Sequence, residues 1–146
     1  ITLLESVKSN QLESDTERFF KMRDSMNVSV NINTKVLNDY INGIVQEEEA
    51  IKLEVTKTNA MIIKCWDFKA KSELQVSNLI AKIKNESGDN QVVFVNNKLL
   101  KTLTQMIGLV CRNVELRFMG NMPLFVGSEE GNVKMLVTIA TTWRDE

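Results

Sequence analysis

Residues 33–63, NTKVLNDYINGIVQEEEAIKLEVTKTNAMII, lie without a gap over residues 96–126, NNKLLKTLTQMIGLVCRNVELRFMGNMPLFV, after a shift of 63 positions. Asn33 falls on Asn96, Lys35 on Lys98, Leu37 on Leu100 and Ile44 on Ile107. With Leu53 on Leu116 these make five identities among 31 pairs, so the weight rests on the apolar phase. Val36, Leu37, Tyr40, Ile41, Ile44 and Val45 form one helical stripe, with Asn33 or Thr34 as its N-cap. AIKLEV alternates as a strand, and Ile51, Leu53 and Val55 fall on Val114, Leu116 and Phe118. Upstream, NVSVNI is a strand. Downstream, TKTN is a turn, AMIIKCWDF a strand and ELQVSNLIAKI a further one. The pattern predicts an α+β domain of two β-α-β-β-β repeats, at about 27–84 and 91–142. The repeats pair, since two copies are too few for an open solenoid. Both helices then lie on one face of antiparallel sheets.

Outside the repeats, residues 1–26 read as a connector and the end of a preceding domain, with 27–146 as the main domain. KSNQLESDTERFFKMRDSM is polar, apart from the adjacent Phe19 and Phe20. The chain opens on Ile1 rather than Met, as a processed or truncated piece would. SGDN at 87–90 and GSEEGN at 127–132 read as turns.

Composition excludes more than it assigns. The 146 residues carry 18 basic and 19 acidic side chains, a net charge of −1, which argues against tight non-specific nucleic-acid binding by bulk charge. No segment approaches the apolar length of a membrane helix, and no signal peptide is visible. There is no histidine, so Ser-His-Asp and Cys-His chemistry is excluded within this chain. The two cysteines, Cys65 and Cys111, are too few for a structural zinc site and read as buried free thiols of an intracellular protein. No metal site and no cofactor is expected.

The ending carries a resemblance. VELRFMGNMPLFV, then GNVKMLVTIATTWRDE, resemble an alternating strand, a strand opening on Met-Pro, and the last strand and acidic tail of the DNA sliding clamps of the proliferating-cell nuclear antigen type. VVFVNNKLLKTLTQMI resembles that family's strand-helix segment, with Phe94 and Leu99 at the family spacing. ITLLESVKSNQL resembles the strand leading into the connector between two clamp domains. Where the family carries Ala-Pro after the last strand, this chain has Ala140-Thr141.

The resemblance implies a processivity factor for DNA replication and repair that breaks no bond. Its partners are duplex DNA, held without sequence preference so that it slides, a DNA polymerase and other clamp-binding proteins, and a clamp loader. Subunits close a homo-oligomeric ring by edge-strand pairing, with ELQVSNLIAKI as a candidate edge. The location is the nucleus, the nucleoid or a viral replication site. Helices line the hole, so Lys35, Asn38, Asn42, Lys98, Lys101, Gln105 and Arg112 are the DNA-facing candidates. A client peptide docks under the connector, which implicates Leu4, Val7, Leu12, Pro123, Leu124, Phe125, Ile139, Ala140, Thr141 and Trp143. Asp39 among the helix cations keeps a second reading open, a clamp-like checkpoint or scaffold subunit acting through protein partners. A third is a small α+β enzyme using Asp39, Glu47, Glu48, Glu49 or Lys64, which no nucleophile motif, phosphate loop or metal cluster supports.

Overall fold

The computed structural model describes residues 2–3, 10–44, 50–65, 73–120 and 122–141, with side chains over 17–42, 50–63, 75–120 and 122–141. The elements are β1 (Thr2–Leu3), α1 (Asn10–Asp24), β2 (Val28–Asn33), α2 (Thr34–Ile44), β3 (Ala50–Val55), β4 (Met61–Cys65) and β5 (Glu73–Val76). They continue with β6 (Ala81–Asn85), β7 (Gln91–Asn96), α3 (Asn97–Gly108), β8 (Asn113–Phe118), β9 (Leu124–Glu130) and β10 (Val133–Ile139).

The 63-residue shift holds element by element. β2, α2, β3 and β4 begin at 28, 34, 50 and 61, and β7, α3, β8 and β9 begin at 91, 97, 113 and 124. The helix starts are chemically equivalent. The Asn33 side-chain oxygen accepts from the amides of Lys35 and Val36 at 3.0 and 3.2 Å. Asn96 accepts from the Leu99 amide at 3.0 Å. Each Asn thus satisfies donors that a helix leaves open at its first turn.

Two antiparallel sheets follow, in the order β1-β10-β9-β8-β2-β6 and β5-β4-β3-β7. Each repeat gives its first strand to the other repeat's sheet: β2 pairs with β8, and β7 pairs with β3. One core lies between the helices and the sheets, where Leu37, Ile41, Leu100, Leu103 and Ile107 meet Val30, Ile32, Leu53, Ile63, Val95, Leu116 and Val126. Each large side chain buried there contributes about 1.5–3 kcal/mol.

Four features depart from the sequence reading. ELQVSNLIAKI is not one strand but two, because Ser77 turns the chain. Its hydroxyl accepts the Leu79 amide at 3.2 Å and its carbonyl the Ile80 amide at 3.2 Å. β5 therefore edges one sheet and β6 the other, and the first repeat has one strand more than expected. GSEEGN is mostly strand. β9 runs to Glu130, and only Gly131 and Asn132 form the hairpin loop, with Gly131 at φ 58°. The stretch read as a connector holds the 15-residue helix α1. Leu99 and Met106, which the sequence puts with Leu100, Leu103 and Ile107 on the apolar side of the second helix, are 38% and 43% exposed. Cys111 is a buried free thiol, as expected, whereas the side chain of Cys65, together with Trp66 and Glu47–Glu49, lies outside the described residues.

Candidate functional site

The site residues expected from the sequence fall on two surfaces, the helix layer and the opposite face of the six-stranded sheet. α2 and α3 pack side by side, joined by a fully buried hydroxyl. Thr104 lies within 2.5 Å of the Asn38 side-chain oxygen and 3.0 Å of the Leu100 carbonyl, both acceptors for its single proton. Asn38, expected to face DNA, is half-buried and ties the helices together instead. The outward stripes repeat. On α2 they are Lys35, Asp39 and Asn42, and on α3 Lys98, Thr102 and Gln105, at i, i+4 and i+7 in both. Lys101 is half-buried beside them.

Arg112 follows the end of α3 and arrives beside the start of α2. Its carbonyl accepts from the Thr34 amide at 2.9 Å and from the Thr34 hydroxyl at 3.0 Å. Lys35 and Arg112 share the lining of one depression of about 330 Å³ with Leu109 and Val110. So the helix layer gathers Lys35, Lys98, Lys101 and Arg112, with Asp39 the acid on the outward stripes among the described residues. The same layer leaves Leu109 86% exposed, an apolar element that the sequence reading missed.

The outer face of the six-stranded sheet is set by strand alternation. Leu124, Val126 and Ile139 point inward to the core, whereas Phe125 points outward. Leu124 and Ile139, expected to dock a client, are fully buried core residues and have no free surface. Phe125 is 1% exposed because α1 covers it. The Phe19 and Phe125 rings lie 5.3 Å apart at 56°, a tilted packing favoured by ring quadrupoles. Met26, Leu136, Met119 and Met122 complete this second apolar cluster. Phe20 lies between two cations, with Lys134 at 4.1 Å and Arg23 at 4.9 Å from its centroid. Arg23 also bridges Asp24 at 2.8 Å and Glu129 at 3.1 Å.

Electrostatics on this face are local. The Arg23 guanidinium, hydrogen-bonded to Glu129, holds that carboxyl below its usual value of 4.5, with Lys134 helping. Glu130 accepts the backbone amides of Arg112 at 2.9 Å and Asn113 at 2.9 Å, and these bonds lower its pKa too. A polar hollow of about 320 Å³ opens beside α1, lined by Arg23, Asn31, Glu115, Arg117 and Glu129 among others. The adjacent Phe19 and Phe20 in a polar stretch were the sequence signal for this surface.

Of the remaining docking candidates, Pro123 and Thr141 are half-buried and Ala140 is exposed. Leu4, Val7 and Trp143 lie outside the described residues, as does the side chain of Leu12. Among the enzyme candidates Asp39 is exposed, and the Lys64 side chain lies outside the described residues. Among the described residues no group of three His, Cys, Asp or Glu side chains is placed to hold a metal, and no helix is long and apolar enough to cross a membrane.

No protein-family model matches the chain, and no curated protein matches it by sequence. Solved structures do. Proliferating Cellular Nuclear Antigen from Entamoeba histolytica superposes with a TM-score of 0.68 at 11% identity, over 82% of this chain and 47% of that one. DNA polymerase III subunit beta from Borrelia burgdorferi, in complex with a natural product, gives 0.67 at 14% identity, over 83% and 31%. The PCNA2-PCNA3 complex from Sulfolobus tokodaii gives 0.64 at 14% identity, over 80% and 48%. The chain spans 31% to 48% of the length of these proteins. By its paired repeats, its two helices on one face and these superpositions, the chain has the fold of the DNA sliding clamps.

Proposed function

We propose that this chain is a clamp domain, with a connector at residues 1–26, of a ring that encircles duplex DNA and tethers a polymerase. The observation that carries the reading is the helix layer. Two capped helices related by the repeat present Lys35, Lys98, Lys101 and Arg112 on one outward face, with Asn42 and Gln105 among them. Such a face attracts phosphates through scattered cations and offers no constellation for reading bases. The protein acts by topology and binding rather than by bond-breaking. It works where DNA is copied or mended, in a nucleus, a nucleoid or a viral replication site.

Ring closure has a candidate edge in β5, one of the two edge strands of the four-stranded sheet, next to the exposed Leu79 and Ile80 of the following turn. No strand pairs with its outer side among the described residues, and an edge of this kind calls for a strand partner. The docking surface for a polymerase and other clients is the outer face around Pro123, Ala140 and Thr141. A loader that opens the ring follows from the same reading.

The test is electron microscopy of the purified protein together with its solution mass. Closed rings of two or three subunits, with a hole wide enough for duplex DNA, are expected. A monomer without a ring overturns the autonomous clamp. A second reading, a clamp-like scaffold or checkpoint subunit that works through protein partners, draws on Leu99, Met106 and Leu109. Their apolar exposure on the helix layer suits a protein contact better than a phosphate backbone.

A further inference from the structure

α1 is a poor helix by its own sequence. NQLESDTERFFKMRD mixes both charges, and its described apolar side chains are Phe19, Phe20 and Met22, of which Met22 is 38% exposed. A 15-residue helix of this composition is marginal in water. Its order here is coupled to what it touches. It touches a defined strip: Phe19 against Phe125, Phe20 beside Lys134, and Arg23 on Glu129. Without α1 the strip would expose Phe125 and Leu136, flanked by Met119 and Met122, which are aromatic and thioether surfaces able to repack around a guest. The contact is therefore small, chemically specific and separable from the main core, which Phe19 and Phe20 do not join.

We propose that α1 is a latch. It occupies a docking strip on the outer sheet face in cis, and it opens by undocking as a unit while the two-repeat body stays folded. The strip accepts a segment with α1's own chemistry, adjacent aromatic residues followed one turn later by a base. The closed latch weakens any such guest by the fraction of time the strip is open. The proposal needs neither DNA nor a ring, so it stands or falls apart from the clamp reading.

The probe is a fluorescein-labelled peptide of residues 10–26, added in trans. Phe19→Ala/Phe20→Ala should unlatch the strip, and the peptide should bind this variant about tenfold or more tightly than the unaltered chain. Equal binding to both chains overturns the latch, as does absence of binding to a variant whose circular dichroism shows intact sheets. Amide exchange on the unaltered protein covers the case where the variant misfolds. α1 amides should exchange about a hundredfold faster than those of α3, as expected for a unit that opens alone. Matched protection in the two helices makes α1 a fixed part of the body and overturns the proposal.

Discussion

Gly127 shows how tightly β9 and β10 are matched. A Cβ there would meet the Met135 carbonyl at 2.7 Å and a Leu136 methyl at 3.0 Å. The first of these neighbours is backbone and cannot swing aside. Gly127→Ala is therefore expected to destabilise by about 1–3 kcal/mol, the usual cost of overpacking, read as a lower urea midpoint at constant slope. The two cap asparagines make a gentler test. Asn33→Ala and Asn96→Ala should each cost about 1 kcal/mol, and similar losses at both would show that the repeat is energetic as well as geometric. Glu129 and Glu130 set the response to acid. Arg23 at the first and backbone amides at the second lower their folded pKa values. Their stabilising bonds are thus present above the usual carboxyl value of 4.5 and are lost as pH falls through the lower folded values. Acid should loosen the α3–β8 turn and α1 together. In Glu130→Gln the melting temperature should drop less between about pH 5 and pH 3 than in the unaltered chain.

At the scale of elements, α1 makes a direct prediction. A free peptide of residues 10–24 should be less than about half helical by circular dichroism, because nucleation is costly and its stripe has nothing to pack on. A fully helical peptide would mean that docking is not what orders it. This helix was also the element hardest to read in the sequence. Its charges obey no clear period, and Phe19 and Phe20 are adjacent, so they cannot fill one narrow stripe. Only the outward Phe125 on β9 explains them. By contrast, β2, α2 and β3 and their counterparts were legible, because alternation and helical period were both unbroken and each helix began on Asn. The split of residues 73–85 was hidden because Leu79 and Ile80 continue the apolar run while lying exposed in a turn. The docking candidates mixed two faces for the same kind of reason. Leu124 and Phe125 are neighbours in sequence but opposite across the sheet.

For the whole molecule, the helix layer predicts how DNA is held. If the ring reading is right, Lys98→Glu with Lys101→Glu should shorten the time the protein stays on circular duplex DNA. The double change should also reduce the slope of log binding against log salt, by about one for each phosphate that is no longer neutralised. An unchanged slope would move the weight to the scaffold reading. The helix cations could be placed from sequence by repeat and period alone. Arg112 was a candidate with them, but its place beside the start of α2 was not legible, since it depends on Thr34 meeting the end of a helix far along the chain.

The exchange of first strands has a consequence for the chain's history and its assembly. Val28 lies opposite Phe118 and Asn96 opposite Ala50, so neither repeat closes its own sheet. Half of this polypeptide would keep an open groove where its partner's first strand belongs, and would expose its own first strand in turn. Two identical halves satisfy each other by the same operation, as a symmetric pair of short chains. The present arrangement has the geometry of such a pair within one chain. β3–β4–β5 and β8–β9–β10 pair locally, and the β2–β8 and β7–β3 pairings join the repeats, which places the slow, long-range step of folding at that joining.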